Sequence, residues 1–156
     1  MSHFDDNDDW DDEDFEFGND DNDHDIDSHR NMPVFLKAKE LADITRTMCE
    51  LIDEEKDELN IRELMLENAY ILGAKIAGAE GGDLYSIRFD NATIIKLHAR
   101  ELLAQTSLLR AEKLVEEKYI DMLRKEIEEF RVLFIEWVKG FDKNNDIKDE
   151  WDIKDL

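Results

Sequence analysis

Residues 120–141 read IDMLRKEIEEFRVLFIEWVKGF. Ile120, Leu123, Ile127, Phe130, Phe134, Trp137 and Phe141 recur in it at spacings of three and four, without interruption. Side chains three and four apart share one face of a helix, so the stretch predicts a helix with an apolar seam three heptads long. Gly140 marks its stop. A seam of that width needs other apolar faces to cover it, and the chain upstream supplies them.

Behind Pro33, the only proline, Val34, Ala38, Leu41, Thr45, Met48 and Ile52 alternate at four and three. Proline suits a first helical turn. This pattern predicts a first helix over about 33–58. Asn60-Ile-Arg-Glu63 has the form of a capping box, with Asn60 as N-cap. It opens a second helix carrying Ile61, Leu64, Met65, Ile71, Leu72, Ile76 and Ala79, which Gly81-Gly82 ends. A third helix runs through Ile94, Ile95, Leu97, Leu102, Leu103, Leu108 and Leu109, capped by Asp83 or Asp90. Leu84–Phe89 alternates weakly, but a lone strand has no partner here, so it reads as helix or extended linker. No strong breaker separates the third helix from the seam. Gln105-Thr106-Ser107, or the polar stretch just after it, is the expected break. The fold class that follows is all-α, an antiparallel up-and-down four-helix bundle.

Charge divides the 156 residues into three parts. The whole chain has a net charge of −22. Residues 1–31 alone hold 12 Asp and two Glu against Arg30, a net of −13. Such a stretch buries too little apolar surface to offset its ordering entropy, so it reads as a disordered acidic tail. Residues 142–156 read as a second acidic tail, leaving 32–141 as the bundle. One cysteine excludes a disulfide scaffold. No apolar run approaches the roughly 18 residues of a membrane span, and the acidic start is unlike a secretory signal, so a cytoplasmic setting without membrane attachment is expected.

The chemistry is mostly negative. No Gly-rich phosphate loop, zinc spacing or Glu-x-x-His motif occurs, so no metal, cofactor or catalytic residue is assigned. His98 and Glu101 read as a surface pair rather than metal ligands, and Cys49 as a buried, inert thiol. Asp142-Lys-Asn144-Asn-Asp146 begins like a calcium loop, but Ile147 and Ile153 stand where such loops need Gly and Glu. Net charge also disfavours direct nucleic-acid binding.

Three features point to binding. Gly73, between Ala69 and Ala77, costs roughly 1 kcal/mol inside a helix, so it predicts close approach of a neighbouring helix or room for a ligand. Were there a ligand, Lys75, Glu80, Asp83, Tyr85 and Arg88 gather around the Gly81-Gly82 turn. Val132, Ile135 and Val138 lie off the seam and call for cover by the first three helices, by a partner or by a second copy in a homodimer. Trp10, Phe15 and Phe17, set among Asp, suit docking on a basic surface of a partner or of the bundle itself. The reading is a non-enzymatic protein-interaction module. A small-molecule or enzymatic site at the second turn is the alternative.

Overall fold

The structure, a computed structural model, describes residues 28–153 and 156. The acidic stretch with Trp10, Phe15 and Phe17 lies outside them. Among the described residues four α-helices form: α1 (Pro33–Cys49), α2 (Ile61–Glu80), α3 (Tyr85–Ala111) and α4 (Glu117–Lys139). A one-turn 3-10 helix, Ser28–Asn31, precedes them and packs on α1 and α2. No strand occurs among the described residues.

α4 buries its seam whole, from Ile120 through Trp137, and Phe141 just beyond it is buried too. α2 packs against α1 and α3, and α4 against the same two. Neighbours run in opposite directions. Cys49 meets Arg62 while Phe35 approaches Gly73 across α1 and α2. Arg88 meets Glu80, and His98 meets Asn68, across α3 and α2. Arg110 pairs with Glu117 and Asp121, and Arg124 with Thr106, across α3 and α4. The buried faces close on one apolar core.

Helix boundaries depart from expectation where aspartates hold the backbone. α1 ends at Cys49, not near 58. Ile52 still reaches the core, carried by turn bonds from the Leu51 and Ile52 N–H groups to Met48 and Cys49 carbonyls. Beyond it Asp53 accepts the Glu55 N–H at 3.0 Å. Such local bonds offer the backbone an alternative to helix. Asp57, not Asn60, then caps α2. Its two carboxylate oxygens accept the Ile61 and Arg62 N–H groups at 2.8 and 2.9 Å. Asn60 sits at φ 54°, makes no cap bond, and instead donates from its amide to Glu63 at 2.6 Å.

Neither Asp83 nor Asp90 caps α3. Its cap comes from the far end of the chain: Asp146 accepts the Ser86 N–H at 3.0 Å and the Ser86 hydroxyl, and the Asn145 carbonyl accepts the Tyr85 N–H at 2.8 Å. Residues 85–89, read as helix or linker, are helix. Gln105 and Thr106 are buried inside α3, so the helix does not break there. It stops at Ala111, and Lys113, at φ 52°, turns the chain toward α4.

Candidate functional site

The α2–α3 turn does gather most of the residues expected there, but as a clasp. Glu80 accepts a hydrogen bond from the Trp137 indole N–H at 2.8 Å and pairs with Arg88. The Arg88 guanidinium stands 4.4 Å over the Phe141 ring. The Glu80 and Arg88 side chains are 15 and 17 % exposed, which leaves little for a ligand to reach. Arg88 Nε is buried without a hydrogen-bond partner. Asp83 takes part through its carbonyl, which accepts the Asn145 amide at 3.2 Å. Tyr85 opens α3 and lies 5.7 Å from the Phe89 ring. Lys75 makes no hydrogen bond or ion pair with any of them. The arrangement ties α2, α3, α4 and the following stretch together. Its carboxylate and guanidinium pair with each other.

His98, Cys49, Asp142 and Asp146 also have partners. His98 Nδ1 lies 2.6 Å from Asn68 Oδ1, and the Asn68 amide donates to Gln105 at 3.1 Å, a buried chain joining α2 to α3. His98 therefore turns to Asn68 rather than pairing with Glu101. Burial pushes the Cys49 thiol up to about 11, which keeps it protonated and unreactive. Asp142 and Asp146 spend carboxylate oxygens on the Asn144 and Ser86 N–H groups. Among the described residues no group of three or more His, Cys, Asp or Glu is arranged to hold a metal.

Lys37 is the most constrained charge. It is buried on α1 and donates to Glu40 at 3.2 Å, to Glu129 at 2.6 Å, and to Glu126. Burial opposes its charge, but the hydrogen bonds to Glu126, Glu129 and Glu40 outweigh burial and hold its pKa above the usual lysine value. The same contact, through its hydrogen bond and then its charge, lowers Glu129. This cluster fastens α1 to α4.

Two grooves remain. One, of about 370 Å³, runs between α1 and α2 over Phe35, Ala38, Ala42, Ala69, Gly73 and Ala77. Gly73 opens onto it: an added Cβ would meet only Phe35 Cε2, at 3.7 Å. Close helix contact is therefore not what Gly73 serves, whereas Ala69, 1 % exposed, does sit in the packed crossing.

The other, of about 250 Å³, lies between α3 and α4. Ala99, Leu103, Ile127, Phe130, Phe134 and Ile135 give it an apolar lining. Lys96, Arg100, Arg124 and Arg131 rim it, with Glu128 the one acidic side chain. Glu128 is bound by Arg131, whose hydrogen bond and charge lower its pKa. Arg124 donates to Thr106 at 2.7 Å. Among the described residues Lys96 and Arg100 have no ion-pair partner. Of the three residues expected off the seam, Ile135 lines this groove, Val132 is half exposed outside it, and Val138 packs against the core. The basic rim escaped the sequence reading because it needs the register between two helices. Its trace is there, in Lys96 and Arg100 four apart and Arg124 and Arg131 seven apart.

No family model matches the chain, and no curated protein sequence is similar to it. A solved structure is similar: a protein of unknown function from the S23 ribosomal protein family of Bacteroides thetaiotaomicron VPI-5482. It shares 20 % identity and a TM-score of 0.62 over 69 % of this chain and 96 % of that one. At that identity the likeness speaks for the helical fold alone. Among the described residues no helix is long and apolar enough to cross a membrane.

Proposed function

We propose that this chain is a non-enzymatic protein-interaction module that receives an acidic, aromatic-bearing protein segment in the α3/α4 groove. The observation that carries the reading is the joint presence there of an apolar lining and two cations, Lys96 and Arg100, without ion-pair partners among the described residues. Apolar side chains supply short-range affinity on such a floor, and opposite charge steers the encounter. A folded-back or extended segment fits a groove between helices better than a flat surface would. A nucleic acid is the other polyanion that cations attract. Four cations on a chain of net charge −22, around an apolar floor, favour protein. The buried free thiol of Cys49 suits a reducing, cytoplasmic setting.

The test is site-specific photo-crosslinking in the native cell. A photoreactive phenylalanine at Ile135 is expected to capture a discrete protein, and the same group at Tyr70 on α2 is not. Arg100→Glu should reduce the Ile135 yield while leaving the melting temperature unchanged. Equal capture from both positions, or none from Ile135, would overturn the reading.

A further inference from the structure

The chain carries its own segment of the chemistry this groove selects. Residues 1–27 hold 12 Asp and two Glu with no Lys or Arg, and Trp10, Phe15 and Phe17 stand among them. The groove offers the complement: an apolar floor between Leu103 and Phe130, and the Lys96 and Arg100 cations. At physiological salt charges interact over about 8 Å, so an acidic segment responds to these local cations rather than to the acidic body as a whole.

Reach permits the contact within one molecule. The 3-10 turn at Ser28–Asn31 packs on α1 and α2, near the end of the bundle where Glu80 of α2 meets Arg88 of α3. Lys96 lies eleven residues into α3, roughly 17 Å from its start at 1.5 Å per residue. Adjacent helix axes add about 8–10 Å each. Trp10 is 18 residues from Ser28. A coil of that length spans roughly 25 Å on average and at most about 60 Å when extended. The aromatic cluster therefore reaches the groove without being fully stretched.

We propose that residues 1–27 occupy the α3/α4 groove of their own chain, with Trp10, Phe15 and Phe17 on its apolar floor and Asp carboxylates beside Lys96 and Arg100. The inference rests on the docking role given above and adds its regulation. A tethered segment acts at an effective concentration on the order of millimolar. A partner must then displace it, and only a segment that binds more strongly, or one helped by added salt or by modification of the tail, gains the groove.

The full-length chain tests this by paramagnetic relaxation. A nitroxide is attached through Asn19→Cys; Cys49 is buried and, with its thiol pKa near 11, stays unlabelled. The amide signals of Leu103, Arg131 and Ile135 should broaden, and those of Phe35 and Tyr70 on the opposite groove should not. Lys96→Glu combined with Arg100→Glu should abolish the selectivity, as should Ser at Trp10, Phe15 and Phe17 with every carboxylate kept. Broadening that is uniform, that favours α1 and α2, or that survives charge reversal overturns the proposal. So does broadening seen only when spin-labelled and isotope-labelled molecules are mixed, because the occupant is then a second copy's tail. Loss of the selective broadening together with intact crosslinking from Ile135 removes the self-docking and leaves the interaction module standing. Selective broadening without any crosslinked protein does the reverse.

Discussion

At Gly73 an added Cβ would sit 3.7 Å from Phe35 Cε2, an ordinary van der Waals distance. Gly73→Ala then gains helix propensity without a clash. It should stabilise the bundle by about 0.5–1 kcal/mol, read from the denaturant midpoint. Ala69, four residues earlier, should behave in the opposite way. It is fully packed, and Ala69→Leu forces overpacking that costs about 1–3 kcal/mol. Equal responses at the two positions would count against the α1/α2 groove. Both positions carry the same signature in sequence, a small residue on a helix. The difference between them depends on where α1 crosses α2, which spacing along one helix does not contain. Asp57 makes the same point for capping. Asn60-x-x-Glu63 fits the box, yet the carboxylate three residues earlier reaches the Ile61 and Arg62 N–H groups. Asp57→Ala should cost about 1 kcal/mol and Asn60→Ala less, measured by thermal melting.

Among the elements, α4 was the most legible. A strict three-four repeat needs only the pitch of the helix to be read, and every seam residue from Ile120 to Phe141 is buried. α1 shows where that logic stops. Its repeat continues to Ile52, but the helix ends at Cys49 because the next residues satisfy their backbone through turns and Asp53. What binds α1 to α4 besides apolar contact is Lys37 among its three glutamates. Lys37 lies off the three-four repeat of Val34, Ala38 and Leu41, and the approach of α4 makes it an interior cation. Its effect should depend on pH. The folded pKa of Glu129 is lowered from 4.5, so that contribution is full at neutral pH and lost as acid protonates the carboxylate. The folded pKa of Lys37 is raised from 10.5, so its contribution holds below that value and is lost as pH climbs past the raised one. Lys37→Met should therefore lower the melting temperature by several degrees near neutrality, with the gap to the unaltered protein narrowing below about pH 4.5 and in strong alkali. A gap that stays constant across this range would mean that Lys37 acts through its methylene packing rather than its charge.

On the scale of the whole molecule, the helical body closes through a contact between the stretch after α4 and the start of α3. Composition draws the bundle's edge at Phe141, where acidic residues resume. The structure carries the body a few residues further, because Asn145 and Asp146 supply the cap of α3 that neither Asp83 nor Asp90 provides. No local pattern could have shown this, since Ser86 and Asp146 are 60 residues apart. A comparison of two fragments isolates the effect. Residues 28–141 and 28–153 contain the same four helices and the same core, and both lack the acidic stretch at the start. The shorter fragment loses the carboxylate that binds the Ser86 N–H and the carbonyl that binds the Tyr85 N–H. It should still melt cooperatively, because the core is untouched, but with stability lower by about 1–2 kcal/mol, the range of a lost N-cap. For a domain of this size that is a melting temperature lower by roughly 3–8 °C. Asp146→Ala in the longer fragment should account for about half of the difference, since the Asn145 carbonyl remains. Identical melting of the two fragments would show that solvent satisfies the first turn of α3 equally well, and the bundle would then end at Phe141, where composition alone places it.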